Sequence, residues 1–439
     1  MVLRIDEMPV PEASRVPTEA ESGIRRTNRT LRRIKGHASD LAVCGGEPSF
    51  SEPVLVGRPN IGDRAAFSAR LEKMLDDRWL SNDGPLLKEL EKRLAAYLHV
   101  KHGIAVCNAT LGLQVLFEAL GLTGEVIVPS FTFIATAHAL KWQGLEPVFC
   151  DVDPKTHTLD PLRIEELISP ATTAILGVHL WGQPCDIEAL QEIADRHDLR
   201  LIFDAAHALG CSYRGQQVGA FGDAEVFSFH ATKFFNSFEG GIITTNDDAL
   251  AQKLRRIRSF GFDGQGGVSE LGTNAKMTEV AAAMGLTSFE SIDEFIATNR
   301  SHYLDYAELL GDLPGISLFP FDPSERHNYQ YVVVEVDARA LGLNRDQLQA
   351  VLSAEGIGTR RYFDPPCHLG QPYRASQPDA ATRLPHTERL ADRVLQLPTG
   401  TAVTPEDIRA ICDILRLVSQ NGHTLRGRLE RLIPADGLS

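Results

Sequence analysis

The sequence predicts an α/β protein: a mostly parallel sheet with helices on both faces, then a smaller α+β domain. Three observations carry this expectation. Short, unbroken apolar runs recur between about residues 100 and 245, and segments with apolar residues at helical spacing separate them. After about residue 300 the texture changes to helices with few strands. Strands that read as continuous apolar runs are buried on both faces, as a parallel sheet between two helical layers requires.

The elements follow in order. Arg64 to Leu75 and Leu86 to Leu98 carry apolar residues at helical spacing. Gly103 to Val106 is a short buried strand, Leu111 to Leu120 a helix, and Val126 to Val128 a strand closed by Pro129. Phe133 to Trp142 is helical, and Pro147 to Cys150 is a strand ended by Asp151-Val152-Asp153-Pro154. Ala174 to Val178 is a strand and Ile187 to His197 a helix. The strands 201–203, 226–228 and 241–244 complete the set. Further on, Tyr331 to Val336 is β-branched and strand-like, Asp346 to Glu355 is helical, and Pro405 to Val418 is a closing helix before a polar tail.

A chain of 439 residues is too long for one simple core. The expected division is an extension over 1–50, a large domain over 51–300 and a small domain over 301–439. A net charge of -14 argues against a nucleic-acid binder, which would show a basic face. Arg25, Arg26, Arg29, Arg32, Arg33 and Lys35 form a local basic stretch. Glu19, Glu21 and Asp40 interleave with it, so it reads as a solvated extension or one laid on the body of the protein. The seven cysteines are scattered without a C-x-x-C pair, which implies reduced thiols in a cytoplasmic protein and no metal site. No run has the apolar length of a membrane span, and the N-terminus lacks a signal-peptide core.

In open α/β sheets, ligands bind at the carboxyl ends of the strands. Four groups of residues fall there. Asn108-Ala109-Thr110 opens a helix, and a helix N-terminus with a hydroxyl suits a phosphate. Phe133 follows a strand and could stack on a flat ring. Asp204 ends the run Leu201-Ile202-Phe203, and His207 lies three residues on. Ser228 lies on a strand, and Lys233 follows in the small, apolar segment Phe229 to Phe238, where desolvation lowers a lysine pKa. Each has a plainer reading: a helix cap, a core aromatic, a turn-capping aspartate with a core histidine, a loop lysine. Together they match what pyridoxal 5'-phosphate (PLP) needs. The lysine can form a Schiff base with the aldehyde, and the carboxylate can keep the pyridine nitrogen protonated so that the ring draws in electrons. The chain has neither a Walker A sequence nor a G-x-G-x-x-G after the first strand, so a P-loop kinase or nicotinamide dehydrogenase would lack its phosphate loop.

Asp204-Ala205-Ala206-His207-Ala208-Leu209-Gly210, Phe227-Ser228-Phe229-His230-Ala231-Thr232-Lys233 and Phe238-Glu239-Gly240-Gly241 resemble the DegT/StrS-type sugar aminotransferases. So do Trp79-Leu80-Ser81-Asn82-Asp83-Gly84-Pro85, Pro129-Ser130-Phe131-Thr132-Phe133, Gly272-Thr273-Asn274-Ala275-Lys276, Tyr329-Gln330-Tyr331 and Arg361-Tyr362-Phe363. The ordered matches span roughly residues 54 to 418. The resemblance implies the aspartate-aminotransferase-like fold, PLP fold type I, with a three-layer domain. By the same resemblance Lys233 is the Schiff-base lysine, Asp204 partners the ring nitrogen, and His207 lies beside the ring's phenolate. Phe133 stacks on the ring, and Ala109, Thr110 and Ser228 contact the phosphate. Asn274 and Lys276 fall in a stretch that reaches the neighbouring subunit's cofactor, which implies a homodimer with shared sites.

The version Phe-His-Ala-Thr-Lys with Phe-Glu-Gly-Gly looks most like enzymes that aminate carbon 4 of a nucleotide-linked 4-keto-6-deoxyhexose. The expected substrates are therefore TDP-4-keto-6-deoxy-D-glucose and L-glutamate. The alternatives are a sugar 3-aminotransferase, a PLP-dependent dehydratase, or a regulatory protein that keeps the fold without catalysis. Lys233 favours transamination, because dehydratases of the family carry histidine there.

Overall fold

The computed structural model describes residues 34–432 apart from 312, 376 and 378. At its centre is a seven-stranded sheet. In chain order its strands are β1 (His102–Val106), β2 (Glu125–Pro129), β3 (Glu146–Cys150), β4 (Thr172–Val178), β5 (Arg200–Asp204), β6 (Ala224–Ser228) and β7 (Gly241–Thr245). Their order across the sheet is β1-β7-β6-β5-β4-β2-β3. The pairs β3/β2, β2/β4, β4/β5 and β5/β6 are parallel, and β7 runs antiparallel to both β6 and β1.

Alternation along each strand feeds two separate cores, one on each face of the sheet. Val126 and Val128 of β2 pack with Leu113, Leu116, Leu140 and Leu176, under the helices Ala109–Leu120 and Ile134–Trp142. Ile127, between them, packs on the opposite face with Ile175, Phe203, Ile187 and Leu190. The same opposite face continues through Phe227 and Ile242 to Leu90, Leu94 and Leu286. This is the three-layer arrangement expected from the apolar runs.

The C-terminal part holds an antiparallel sheet of β8 (Ile316–Leu318), β9 (Val332–Val336) and β10 (Val394–Leu397), with β9 in the middle. Helices Arg345–Ala354 and Pro405–Leu432 pack on it. The closing helix runs well past the expected end at Val418. Leu425 and Leu429 are buried and continue its apolar stripe. Gly422, which interrupts that stripe in the sequence, lies where a Cβ would come within 1.8 Å of the Leu341 carbonyl oxygen, so only glycine lets the helix approach this closely.

Residues 1–33, with the arginines of the basic stretch, lie outside the described residues. Residues 34–50 lie against the C-terminal sheet, where Leu41 and Phe50 join its core. Glu355 anchors them: its buried carboxylate accepts hydrogen bonds from the Ala42 N–H (2.6 Å) and the Ser49 N–H (2.9 Å) and faces Lys35 at 3.2 Å. Val54–Leu55 then pairs in parallel with Ile357–Gly358. The helix Ile292–Leu310 crosses the boundary expected near residue 300. Among the described residues, no helix is long and apolar enough to cross a membrane.

Candidate active site

The carboxyl ends of β5 and β6 and the N-terminus of the helix Ala109–Leu120 open into one cavity of about 380 Å³. Ala109, Thr110, Phe133, Asp204, His207, Ser228 and Lys233 all line it. Seven of the nine site residues expected from the sequence thus meet in space. Asn274 and Lys276 do not line it. The Lys276 ammonium donates to Asn274 Oδ1 at 2.7 Å and lies 4.3 Å from the Phe260 ring centre. Ala275, between them, accepts the Cys107 N–H at 2.8 Å, which ties this segment to the turn that leads into the helix Ala109–Leu120.

Asp204 is the last residue of β5 and is buried. Its Oδ2 accepts from the Thr136 hydroxyl (2.8 Å) and its Oδ1 from the Ala206 N–H (3.0 Å). Burial pushes its carboxyl up from the ordinary range, against these two bonds and the charge of Lys233. Two hydrogen bonds leave part of the carboxylate's acceptor capacity unused. Lys233 lies in the turn after β6, where its N–H donates to the His230 carbonyl at 2.8 Å. Burial lowers its pKa to about 8, opposed by the charge of Asp204. Its Nζ donates to the Tyr331 hydroxyl at 3.2 Å.

His207 is buried and held well below the usual imidazole pKa, first by desolvation and then by the Lys233 charge. Its Nδ1 accepts the Trp181 backbone N–H at 3.3 Å, so the neutral ring carries its hydrogen on Nε2, which lies 3.4 Å from the Tyr331 hydroxyl. Asn108 caps its helix by accepting the Leu111 N–H at 2.8 Å. The first-turn amides ahead of Leu111 have no acceptor within the helix and carry its positive dipole end. Phe133 keeps 53% of its surface exposed at the cavity wall.

Among the residues of the site that carry no role in the sequence reading are Thr136, Tyr331, Arg360, Tyr362 and Phe363. Tyr331, Tyr362 and Phe363 belong to segments that match the family pattern, but no local signal ties them to Lys233. They arrive from the C-terminal part, about a hundred residues downstream.

The donor set fits PLP. A buried carboxylate with spare acceptor capacity suits a ring N–H, and an amine with a pKa of about 8 suits an aldehyde. Val178, Ala206 and Phe133 offer apolar walls for a flat ring, while the hydroxyls of Thr110 and Ser228 and the helix amides offer donors that suit a phosphate. The volume matches a small-ligand pocket.

The comparisons agree with this chemistry. A model described as the DegT/DnrJ/EryC1/StrS aminotransferase family matches residues 62–416. The dTDP-4-amino-4,6-dideoxy-D-glucose transaminase of Shigella dysenteriae is 36% identical, over 84% of this chain and 99% of that protein. The solved structure of DesI in the presence of its TDP-sugar product superposes with a TM-score of 0.85 at 52% identity, covering 89% of this chain and 99% of that one. NtdA from Bacillus subtilis, solved with bound cofactor PMP, has a TM-score of 0.75 at 28% identity, covering 81% of this chain and 82% of that one.

Proposed function

Because this chain belongs to the DegT/DnrJ/EryC1/StrS aminotransferase family, we propose that it moves an amino group from L-glutamate to carbon 4 of a TDP-linked 4-keto-6-deoxyhexose. The observation that carries this reading is the meeting of Lys233 and Asp204 in one cavity with Arg360, which has no carboxylate partner among the described residues. The named activity of the Shigella relative and the TDP-sugar product in whose presence DesI was solved support the choice of sugar.

PLP, when bound, supplies an aldehyde that takes an amino group and a ring that stabilises negative charge on the adjoining carbon. Asp204 would hold the ring nitrogen in its protonated form, and Thr136 and the Ala206 N–H orient its carboxylate. Thr110, Ser228 and the first-turn amides would hold the phosphate. The neutral Lys233 amine is the base that takes a proton from the donor's α-carbon and returns it to another carbon. A pKa of about 8 leaves a working share of that amine unprotonated near neutral pH.

Arg360 supports an amino-acid donor. Its backbone is bonded in both directions to Gln396, and its Nη1 donates to the Tyr362 hydroxyl at 2.8 Å. Gly57 (φ 74°) leaves room for it: a Cβ there would come 3.3 Å from Arg360 Nη1 and 3.3 Å from Thr232, the neighbour of Lys233. An amino acid carries its carboxylate on the carbon that reacts. A nucleotide-linked 4-keto sugar carries its diphosphate on carbon 1, across the ring from carbon 4. A cation this near the lysine therefore suits the donor's carboxylate. Arg360→Gln is expected to raise the KM for glutamate about 10- to 100-fold, as the loss of a charged hydrogen bond implies. The half-reaction with the sugar should stay within about threefold, a margin under 1 kcal/mol. Stopped-flow measurement of each half-reaction checks this, and a loss confined to the sugar half would count against it.

Asn274 and Lys276 would act in the partner's site of a homodimer. Phe260, Phe262 and Leu271, exposed beside them, support an interface there. Mixing inactive Lys233→Ala and Asn274→Ala chains should then restore part of the activity by assembling one intact site, whereas additive or absent activity would refute sharing. The reading as a whole is tested by incubating the protein with PLP, TDP-4-keto-6-deoxyglucose and glutamate. Mass spectrometry should find the amino sugar. A dehydrated product, or unchanged sugar, would overturn it.

A further inference from the structure

Trp181 is fully buried, yet its backbone adopts φ 63° and ψ -2°. Bulky L-residues avoid this left-handed region, and such an outlier persists only where its surroundings over-determine it. Its contacts do so here, with Phe131 and Tyr331 edge-on to the indole among them. The indole Nε1–H donates to His157 Nδ1 at 3.2 Å. One contact of the indole is parallel to Phe363, 5.6 Å away at 6°. Another is nearly parallel to His207, 6.1 Å away at 15°. The Trp181 backbone N–H meets His207 Nδ1. The left-handed turn thus lets one residue present both its ring and its N–H to His207.

His157 is itself buried and left-handed (φ 60°). Because its Nδ1 takes the indole hydrogen, its neutral ring carries a hydrogen on Nε2, and that nitrogen lies 3.2 Å from Glu335 Oε1. Glu335 and Tyr331 lie four residues apart, so β9 and the residue just before it present both on one face. Tyr331 grips His207 and Lys233 at one end of this array, and Glu335 grips His157 at the other. The chain Glu335–His157–Trp181–His207 is continuous, and all of it but Glu335 is buried.

We propose that His157 is a positioning residue for transamination. Through Trp181 it holds His207 with Nδ1 occupied and its Nε2–H turned toward Tyr331 and the cavity that Lys233 lines. The proposal rests on reading that cavity as the transamination site. A histidine whose orientation is held by an outer partner loses function when the partner is removed, although the partner never meets substrate.

His157→Phe keeps an aromatic among Phe131 and Phe319 but removes both hydrogen bonds. His157→Gln keeps an acceptor for the indole and a donor for Glu335. In the Phe variant kcat is expected to fall about 10- to 100-fold, with KM within about threefold. The visible absorption band of the cofactor-loaded protein should shift at neutral pH. The near-ultraviolet circular dichroism of the apoprotein should change as well, because Trp181 is its one fully buried tryptophan, whereas Trp79 and Trp142 are exposed. The Gln variant should restore all three. Glu335→Gln, at a partly exposed position, serves if the Phe variant does not fold, and the same changes are expected in it at smaller size. If the folded variants keep the wild-type kcat and absorption band and lose only thermal stability, His157 is mere packing and the proposal is wrong. If wild type itself does not transaminate, the reading of the site fails, and the proposal with it.

Discussion

Lys233→Ala should reduce transamination at least about 10⁴-fold, the upper end of what a positioned general base contributes, because the same amine is also the nucleophile toward the aldehyde. Alanine removes the amine without filling its place, so the buried Tyr331 hydroxyl loses a donor while the fold stays intact. Wild type loaded with PLP should be yellow, and peptide mapping after borohydride reduction should find the cofactor's mass on Lys233. The variant should show neither property. Loading carries a pH signature. Burial lowers the lysine pKa to about 8, so the neutral, reactive amine grows as pH rises through that value. The capture rate of PLP by apoprotein should therefore climb through pH 8 and level off well before the ordinary lysine pKa of 10.5. A midpoint at the ordinary value would mean that Lys233 is not desolvated as the cavity implies.

Asp204→Asn is expected to have the second largest effect. Asparagine can keep both bonds, accepting from the Ala206 N–H and donating to the Thr136 oxygen, but it has no charge to hold a ring nitrogen protonated. Losing one partner of a buried, hydrogen-bonded charge pair costs about 2–5 kcal/mol, which is roughly 30- to 5,000-fold in kcat. The apoprotein should respond in the opposite sense. Burial raises the Asp204 carboxyl pKa, so ionised Asp204 takes stability away as pH rises through the ordinary carboxylate value toward the raised one. Asparagine removes that penalty, and the apo variant should melt at or above the wild-type temperature at neutral pH. A variant that kept wild-type kcat would refute the pairing with the ring.

Much of the site could be read along the chain because strand ends announce it. Asp204, Ser228 and Lys233 follow apolar runs that can only be buried strands, and Ala109 and Thr110 open a helix behind Asn108. The family pattern then supplied roles that local chemistry alone could not. The closing helix was legible only to Val418, because Gly422 reads as a breaker until the contact with Leu341 explains it. The helix Glu279–Glu290 left no amphipathic stripe at all, since most of its residues are buried between the sheet and its neighbours. Asn274 and Lys276 were legible as part of a pattern, yet a single chain does not bring them into the cavity.

By itself the sequence determined the alternation of strand and helix, the buried faces of the sheet, and the Lys233–Asp204 pair with its cofactor. These follow from periodicity and from residue types that few environments tolerate. The tertiary structure decided that Arg360 and Tyr331 stand beside Lys233, that Thr136 orients Asp204, and that a strained Trp181 holds His207. Each of those contacts joins segments far apart in the chain. No local propensity encodes them; they arise only when the C-terminal sheet packs against the carboxyl end of the large one.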